Sequence, residues 1–349
     1  MRKLWWALIA VFFCLQAEAQ INRNAIKKNN KKIGSYRGKS NSFGRQKAYS
    51  ALGVSLNALN YYGDLAPRPS KVSTDISFTK PGIGVSFMHR FGPRYTVLGT
   101  FMFGTLRGSD AESADKNDLN NGVYRFKRNL SFRNNIKEFS AVAVLDLFKN
   151  DGNYIARVKW TPYAFVGIGM FMHQPKAQAP ATDLNGTALP QAGDWVKLRP
   201  LGTEGQYSTL EATDANSGIK PYGLLQAAIP FGLGARLRLN EVMDLWADIG
   251  FRYTFTDYLD DVSRNYVDLG VLSSELAKSM SYRTNELGLA TSNHPYVARN
   301  GQTYVVEAGY GEENVSNNRG SKSDRDVYMV TSIRLTYIIG ATFHKAKFR

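Results

Sequence analysis

The sequence predicts an all-β fold: an eight-stranded antiparallel transmembrane β-barrel of the outer-membrane type, with long extracellular loops and short periplasmic turns. Three observations predict it. The chain opens with an export signal. Segments of strict apolar/polar alternation recur after it. The connections between those segments are alternately short and long.

The signal comes first in the chain. Arg2 and Lys3 precede an apolar run from Leu4 to Leu15, and Ala17-Glu18-Ala19 supplies the small-x-small pattern of a signal-peptidase site. Residues 1–19 therefore read as a cleaved signal peptide, too short to remain as a membrane-spanning helix. The single cysteine, Cys14, lies within this segment and lacks the small preceding residue of a lipoprotein signal. Without a cysteine after residue 19, the exported chain has no disulfide framework, thiolate metal site or cysteine nucleophile.

The strands follow from period-two alternation, which in a barrel sends apolar side chains to lipid and small or polar ones to the lumen. Leu52, Val54, Leu56 and Ala58 alternate with Gly53, Ser55 and Asn57; Ile83, Val85 and Phe87 alternate with Gly84 and Ser86. Tyr95, Val97, Phe101 and Phe103 make a third face, and Ala141, Ala143, Leu145 and Leu147 a fourth. The segment from Tyr163 to Phe171 is apolar throughout, which leaves its facing open. Ile229 to Leu239, Leu245 to Phe255 and Met329 to Tyr337 complete the set. The mixture of 19 Tyr, 19 Phe and 31 Gly suits barrel strands and interfacial girdles, while the mean hydropathy of -0.32 hides the membrane face by averaging.

Short connections are expected at Phe91–Arg94, Lys149–Asn153 and Asn240–Glu241, and long ones over 60–79, 108–129, 174–222 and 258–325. Bacterial barrels keep short turns in the periplasm and long loops outside, so both termini are expected in the periplasm. A soluble eight-stranded barrel of the lipocalin type is the competing architecture, because periodicity alone does not say which face is outside.

A barrel of eight strands is just wide enough to be filled by side chains. Asp146, Arg236, Arg238, Asp248, Arg252 and Arg334 are expected to point into the lumen and to pair there, since an unpaired buried charge is costly. They read as a structural network, and no channel role is assigned to them.

Several motifs fall in order along the chain. Asn60-Tyr61-Tyr62-Gly63-Asp64-Leu65 follows the first strand; Arg128-Asn129-Leu130-Ser131-Phe132 leads to Asn135-Ile136-Lys137-Glu138 at the fourth. Pro162 to Ile168 opens the fifth, Asp257-Tyr258-Leu259-Asp260-Asp261-Val262-Ser263 and Tyr266 follow the seventh, and Arg319-Gly320 with Asp326 and Tyr328 precedes the last. In this order the set resembles the PorG-like outer-membrane proteins of the Bacteroidota type IX secretion system, over most of residues 48–340. The resemblance implies a small barrel that associates with the periplasmic ring proteins of that machine and anchors or organises them without passing substrate. The chain departs from compact members in its basic arm and in insertions near 174–221 and 267–318.

The domain reading is thus a signal peptide (1–19), a basic flexible periplasmic arm (20–47), the barrel (48–340) and a basic tail (341–349). The arm carries Arg23, Lys27, Lys28, Lys31, Lys32, Arg37, Lys39, Arg45 and Lys47 and no acidic residue, and is too polar to fold alone. With the tail it is the expected docking surface for the ring proteins or for headgroups; a plain solvated linker is the alternative. The net charge of +15 would elsewhere point to nucleic acid, but an exported protein meets outer-membrane lipids and acidic protein faces instead.

Enzymatic and metal chemistry find little footing. The four histidines, His89, His173, His294 and His344, show no local pairing with a serine nucleophile. An outer-membrane hydrolase or acyltransferase is therefore the weakest alternative, and no cofactor is expected. The loop bearing Asp257, Tyr258, Asp260 and Asp261, with Asp268 nearby, is carboxylate-dense but lacks the spacing of an EF-hand calcium loop, and reads as a tie between loop and barrel rim. The two main functions left open are a secretion-machine component and a general surface barrel that binds through its long loops or stabilises the membrane.

Overall fold

A computed structural model of the chain describes residues 48–66, 78–150, 152, 155–288, 293–322 and 325–339. Eight long strands form the wall: β1 (Tyr49–Tyr62), β2 (Lys80–Arg90), β3 (Tyr95–Ser109), β4 (Ser131–Asp146), β5 (Trp160–Met172), β8 (Leu225–Arg238), β9 (Met243–Thr254) and β12 (Val327–Ile339). All neighbours are antiparallel. They run in the order β3-β2-β1-β12-β9-β8-β5-β4, and β3 pairs back to β4, so the sheet closes on itself without a free edge. The seam between first and last strands extends from Ser50↔Ile339 to Tyr62↔Val327.

All eight predicted strands are present. The fifth resolves its facing: Val166, Ile168 and Met170 are exposed while Tyr163, Gly169 and Phe171 are inward or covered. The structure also settles which face is outside. Leu56 is 70%, Ile168 74% and Leu233 67% exposed, and Leu56 and Leu233 are paired in register with the equally apolar and exposed Ile83 and Ile249. A soluble protein does not leave an apolar belt around its whole girth in water, which disposes of the lipocalin-type arrangement. Aromatic side chains fringe the belt: Tyr95, Phe148 and Trp160 at the short-turn end, Phe103, Tyr253 and Phe255 at the other.

Phe91–Arg94 and Leu239–Val242 are tight turns as expected. The connection from β4 to β5 is longer than predicted, because Trp160 starts β5 only after a coil in which Arg157 tucks back to Asp244 at 2.8 Å.

The long connections contain structure that alternation could not reveal. Two short strands, β6 (Pro175–Gln178) and β7 (Trp195–Lys197), extend the sheet beside the upper part of β4. A separate hairpin pairs β10 (Asn293–Val297) with β11 (Thr303–Glu307). Three short helices, α1 (Asp110–Ser113), α2 (Gly122–Arg128) and α3 (Glu275–Ser281), lie among the loops. Asn129 ends α2 in the left-handed region at φ 55°, and Ser274 caps α3 by accepting from the Ala277 amide at 3.1 Å. These loops bury a core of their own around Tyr266, Leu269, Ala277, Tyr282, Tyr304 and Val306. The described parts of these loops therefore form an ordered cap.

Candidate functional site

Seen from the short-turn end upward, the lumen is packed with paired charges and rings. Asp146 Oδ2 lies 2.6 Å from Arg90 Nη1 and 2.7 Å from Arg236 Nη2, so one carboxylate joins two guanidiniums across the barrel. Above it Asp248 Oδ2 accepts from the Tyr163 hydroxyl at 2.9 Å, with Arg334 Nη1 at 3.7 Å. Higher still, Glu138 Oε2 accepts from the Tyr328 hydroxyl at 2.7 Å and lies 3.5 Å from Arg252 Nε. Trp246, wholly buried, fills the space between, with the Arg236 guanidinium 5.1 Å from its ring centroid.

Five of the six lumen residues read from the sequence are thus brought together. The sixth, Arg238, is corrected: it is the last residue of β8, half-buried at the short-turn rim, and donates to the Ile155 carbonyl at 2.9 Å. A strand's final residue shares the inward phase but stands at the mouth, where its long side chain reaches out. Sequence reasoning missed Arg90, Glu138, Arg157 and Asp244, although β2, β4 and β9 carry three of them in the inward phase. Their even numbering is the signal that finds them.

The upper end of this column meets the loop that carries Asp257 to Ser263. Asp260 Oδ2 and Asp326 Oδ1 stand 2.7 and 2.6 Å from the Tyr61 hydroxyl. One hydroxyl hydrogen serves one carboxylate, so the other contact requires a protonated carboxyl that donates to the phenol oxygen. Both carboxyls are held well above the usual range, first by burial and then by the neighbouring acids. Asp326 Oδ2 also accepts from the Leu259 amide at 2.8 Å, and Asp260 Oδ1 from the Val262 amide at 2.9 Å, fixing the loop's path.

Asp261, at φ 70°, points the opposite way, into the cap. It accepts from the hydroxyls of Thr203 (2.6 Å) and Tyr222 (2.7 Å). Burial raises its carboxyl to about 6 even though Arg319 opposes the rise. Arg319 donates to Glu204 Oε1 at 3.0 Å and to the Asp261 carbonyl at 2.6 Å. Asp257 is pushed up to about 9, again chiefly by burial, and Tyr258 stacks on Tyr222 with ring centroids 4.7 Å apart.

The remaining motif residues close the collar. Arg128 donates through Nε to Asp110 Oδ2 (2.8 Å) and through its terminal nitrogens to the Arg319 carbonyl (2.7 Å) and the Asp64 carbonyl (2.8 Å). Asp64 accepts from the Ser321 amide at 2.9 Å. A Cβ on Gly320 would sit 2.6 Å from Asp64 Oδ2 and 2.7 Å from the Ser263 amide nitrogen, so only glycine passes there. Residues scattered from 61 to 328 therefore meet as one buried ring that ties the cap to the barrel rim.

Among the described residues the histidines assemble no catalytic triad. His89 Nδ1 pairs with Ser50 Oγ at 2.9 Å on the outer wall, but no carboxylate is bonded to its other nitrogen among the described residues. His173 is buried, lowered to about 4 and so neutral, and Nε2 donates to the Gly223 carbonyl at 3.0 Å. His294 pairs with Glu312 at 3.0 Å in the cap, and His344 lies outside the described residues. Among the described residues no cluster of three or more His, Cys, Asp or Glu is arranged to hold a metal ion. The signal peptide, the arm with Arg23, Lys27, Lys28, Lys31, Lys32, Arg37, Lys39, Arg45 and Lys47, and the tail 341–349 also lie outside the described residues.

Residues 39–184 match a domain of unknown function, DUF6089. No curated protein sequence matches the chain. Among solved structures the chain is similar to OprG from Pseudomonas aeruginosa, at 11% identity and TM-score 0.36, over 86% of this chain and 100% of that one. It is similar to a major outer membrane protein from Thermus thermophilus (11% identity, TM-score 0.37, 83% and 99% covered). The attachment invasion locus protein Ail of Yersinia pestis aligns at 7% identity and TM-score 0.33, over 84% and 99%. At such scores these stand as likenesses only, and the fold rests on the closed register of the strands themselves.

Proposed function

We propose that this protein is an outer-membrane barrel that works as a sealed peg: it holds partners at its two ends and neither conducts nor catalyses. The observation that carries this is the column from Asp146 through Glu138 to the Tyr61–Asp260–Asp326 collar, which fills the lumen and fastens a packed cap over it. A barrel so filled offers its surfaces and not its interior.

The finer reading is a component of the type IX secretion machinery that anchors or organises the periplasmic ring. Supporting it is the gathering of most of the resemblance's dispersed motifs, those of Tyr61, Asp64, Arg128, Asp257 to Ser263, Arg319, Gly320 and Asp326, into one collar, which accounts for their shared occurrence as parts of a single structural device. The basic arm, residues 20–47, is the segment we assign to ring docking. Deleting residues 21–46 and measuring co-purification of ring components tests this; unchanged recovery rejects it. A knockout that blocks export of cargo bearing the system's C-terminal signal supports the secretion role. Normal export with altered surface binding would favour the second reading, a general surface barrel, for which the ordered cap with exposed Val297, Val305 and Val315 is the specific support.

A further inference from the structure

We propose that the outer wall at the long-loop end binds the phosphate-bearing headgroup of a membrane lipid, through a row of four cations that crosses four adjacent strands. In register, Arg107 lies opposite Arg133, Arg133 opposite Lys176, and Lys176 opposite Lys197. Directly opposed residues share one face of a sheet, and neighbouring strands are about 5 Å apart, so the four charges span roughly 15 Å. The face is the outer one: Arg133 and Lys197 are exposed and Arg107 and Lys176 half-buried, while Ala177 and Leu198 on the opposite face are buried against Met280.

Like charges placed directly opposite each other destabilise a sheet. This row has three such pairings in succession. Glu112 binds Arg107, and Arg133 lies over the Trp195 ring with 5.8 Å to its centroid, which does nothing for the repulsion among the other three. A multiply charged anion seated along the row would relieve it. A groove of about 510 Å³ opens beside the row, lined among others by Lys80, Arg107, Arg133 and Trp195 together with the Glu112 carboxylate that pairs with Arg107.

Continuity with the apolar belt identifies the anion's carrier. The exposed Phe103 and Met172 flank Lys137 at the belt's upper edge. Arg133 is four residues further along β4, roughly 13 Å along the strand and about 10 Å further from the bilayer centre once the usual tilt is allowed for. That is the level of lipid headgroups, and an indole such as Trp195 belongs at the same level. An anion anchored to acyl chains lying on Phe103 and Met172 meets both surfaces at once; a free phosphate meets one.

The inference rests on the membrane-spanning reading, and the test separates the two. The full chain is folded into phosphatidylcholine vesicles with and without a minority of lipid A, and lipid A retained after detergent extraction is quantified by mass spectrometry. Protease protection of the strands in pure phosphatidylcholine reports insertion independently. The R133Q/K176Q variant, which leaves the Arg107–Glu112 pair intact, is expected to insert normally and to retain at least about tenfold less lipid A. Equal retention by variant and wild type overturns the site. Displacement by inorganic phosphate at low concentration overturns the lipid assignment in favour of a free anion. Failure of the wild type to insert overturns the membrane reading, and the proposal with it.

Discussion

Replacing Arg319 by methionine isolates the interaction that seats the cap. Arg319 is 1% exposed, its guanidinium bonded to Glu204 at 3.0 Å and to the Asp261 carbonyl at 2.6 Å. Methionine keeps length and bulk and removes the charge. Breaking one side of a buried pair costs about 3–5 kcal/mol. Glu204 still accepts from the amides of Ser263 (2.9 Å) and Arg264 (3.2 Å), and Asp261 keeps the Thr203 and Tyr222 hydroxyls, so the cost belongs at the lower end. About 3 kcal/mol corresponds to roughly a hundredfold rise in cap opening. The pH dependence follows in sign. Burial raises Asp261 to about 6 in the folded chain against an ordinary value of 3.8, so its own contribution to cap stability is full below that ordinary value and is lost as pH rises through 6. Arg319 restrains the rise; without it Asp261 moves higher still, and the variant's deficit is smaller at pH 5 than at pH 8. Hydrogen exchange of cap amides from Leu259 to Leu272 in detergent micelles, with the wall strands as internal control, measures this. Less than about a fivefold change at pH 8 would refute the reasoning, since that is only about 1 kcal/mol. Adding Glu204→Gln should recover part of the loss, because the penalty is that of an unpaired charge.

Other expectations follow from the same geometry. Asp146→Ala leaves Arg90 and Arg236 buried without their shared carboxylate and should cost about 3–5 kcal/mol in urea unfolding of the micellar barrel. Asp257→Asn should flatten the cap's pH profile between about 4 and 9: burial raises this carboxyl to about 9, so its contribution to the folded state is full below its ordinary value of 3.8 and is lost as pH rises through 9, whereas asparagine does not titrate. Gly320→Ala forces Asp64 or the Ser263 backbone to move and should loosen the cap in limited proteolysis while the wall stays folded. Val85→Arg, in the middle of the lipid-facing wall, should lower stability in bilayers by about 2–4 kcal/mol, with little effect if that wall met water.

The wall is legible because a barrel strand obeys one rule over its whole length. Leu52 to Ala58 and Leu245 to Phe255 show that rule directly. Tyr163 to Phe171 conceals it, since Phe165 and Phe171 point inward against Gly232, Gly250 and Tyr328 where a polar residue would have marked the lumen. The collar is half legible. Asp257 to Ser263 stands out as a dense acidic run and reads as a tie to the rim, yet nothing local reveals that Tyr61, Glu204, Arg319 and Asp326 converge on it from three distant segments. The cap core is hidden for a different reason: Tyr266, Tyr282 and Tyr304 lie in stretches without regular period, where burial is set by long-range packing. Arg107, Arg133, Lys176 and Lys197 are individually ordinary surface cations, and only the register aligns them.

The seam between β1 and β12 carries a consequence for biogenesis. β12 follows residues 255–326, the longest connection in the cap, whose described residues lie beyond the wall on the side away from Tyr49 and Ile339. Once Ser50 to Tyr62 has zipped to Val327 to Ile339, the filled interior admits no polypeptide. Under the orientation expected from the sequence, with Tyr49 and Ile339 at the periplasmic end, the cap crosses while the seam is still open, and an assembly factor that held the edges of β1 and β12 apart would be governing translocation and closure in a single act.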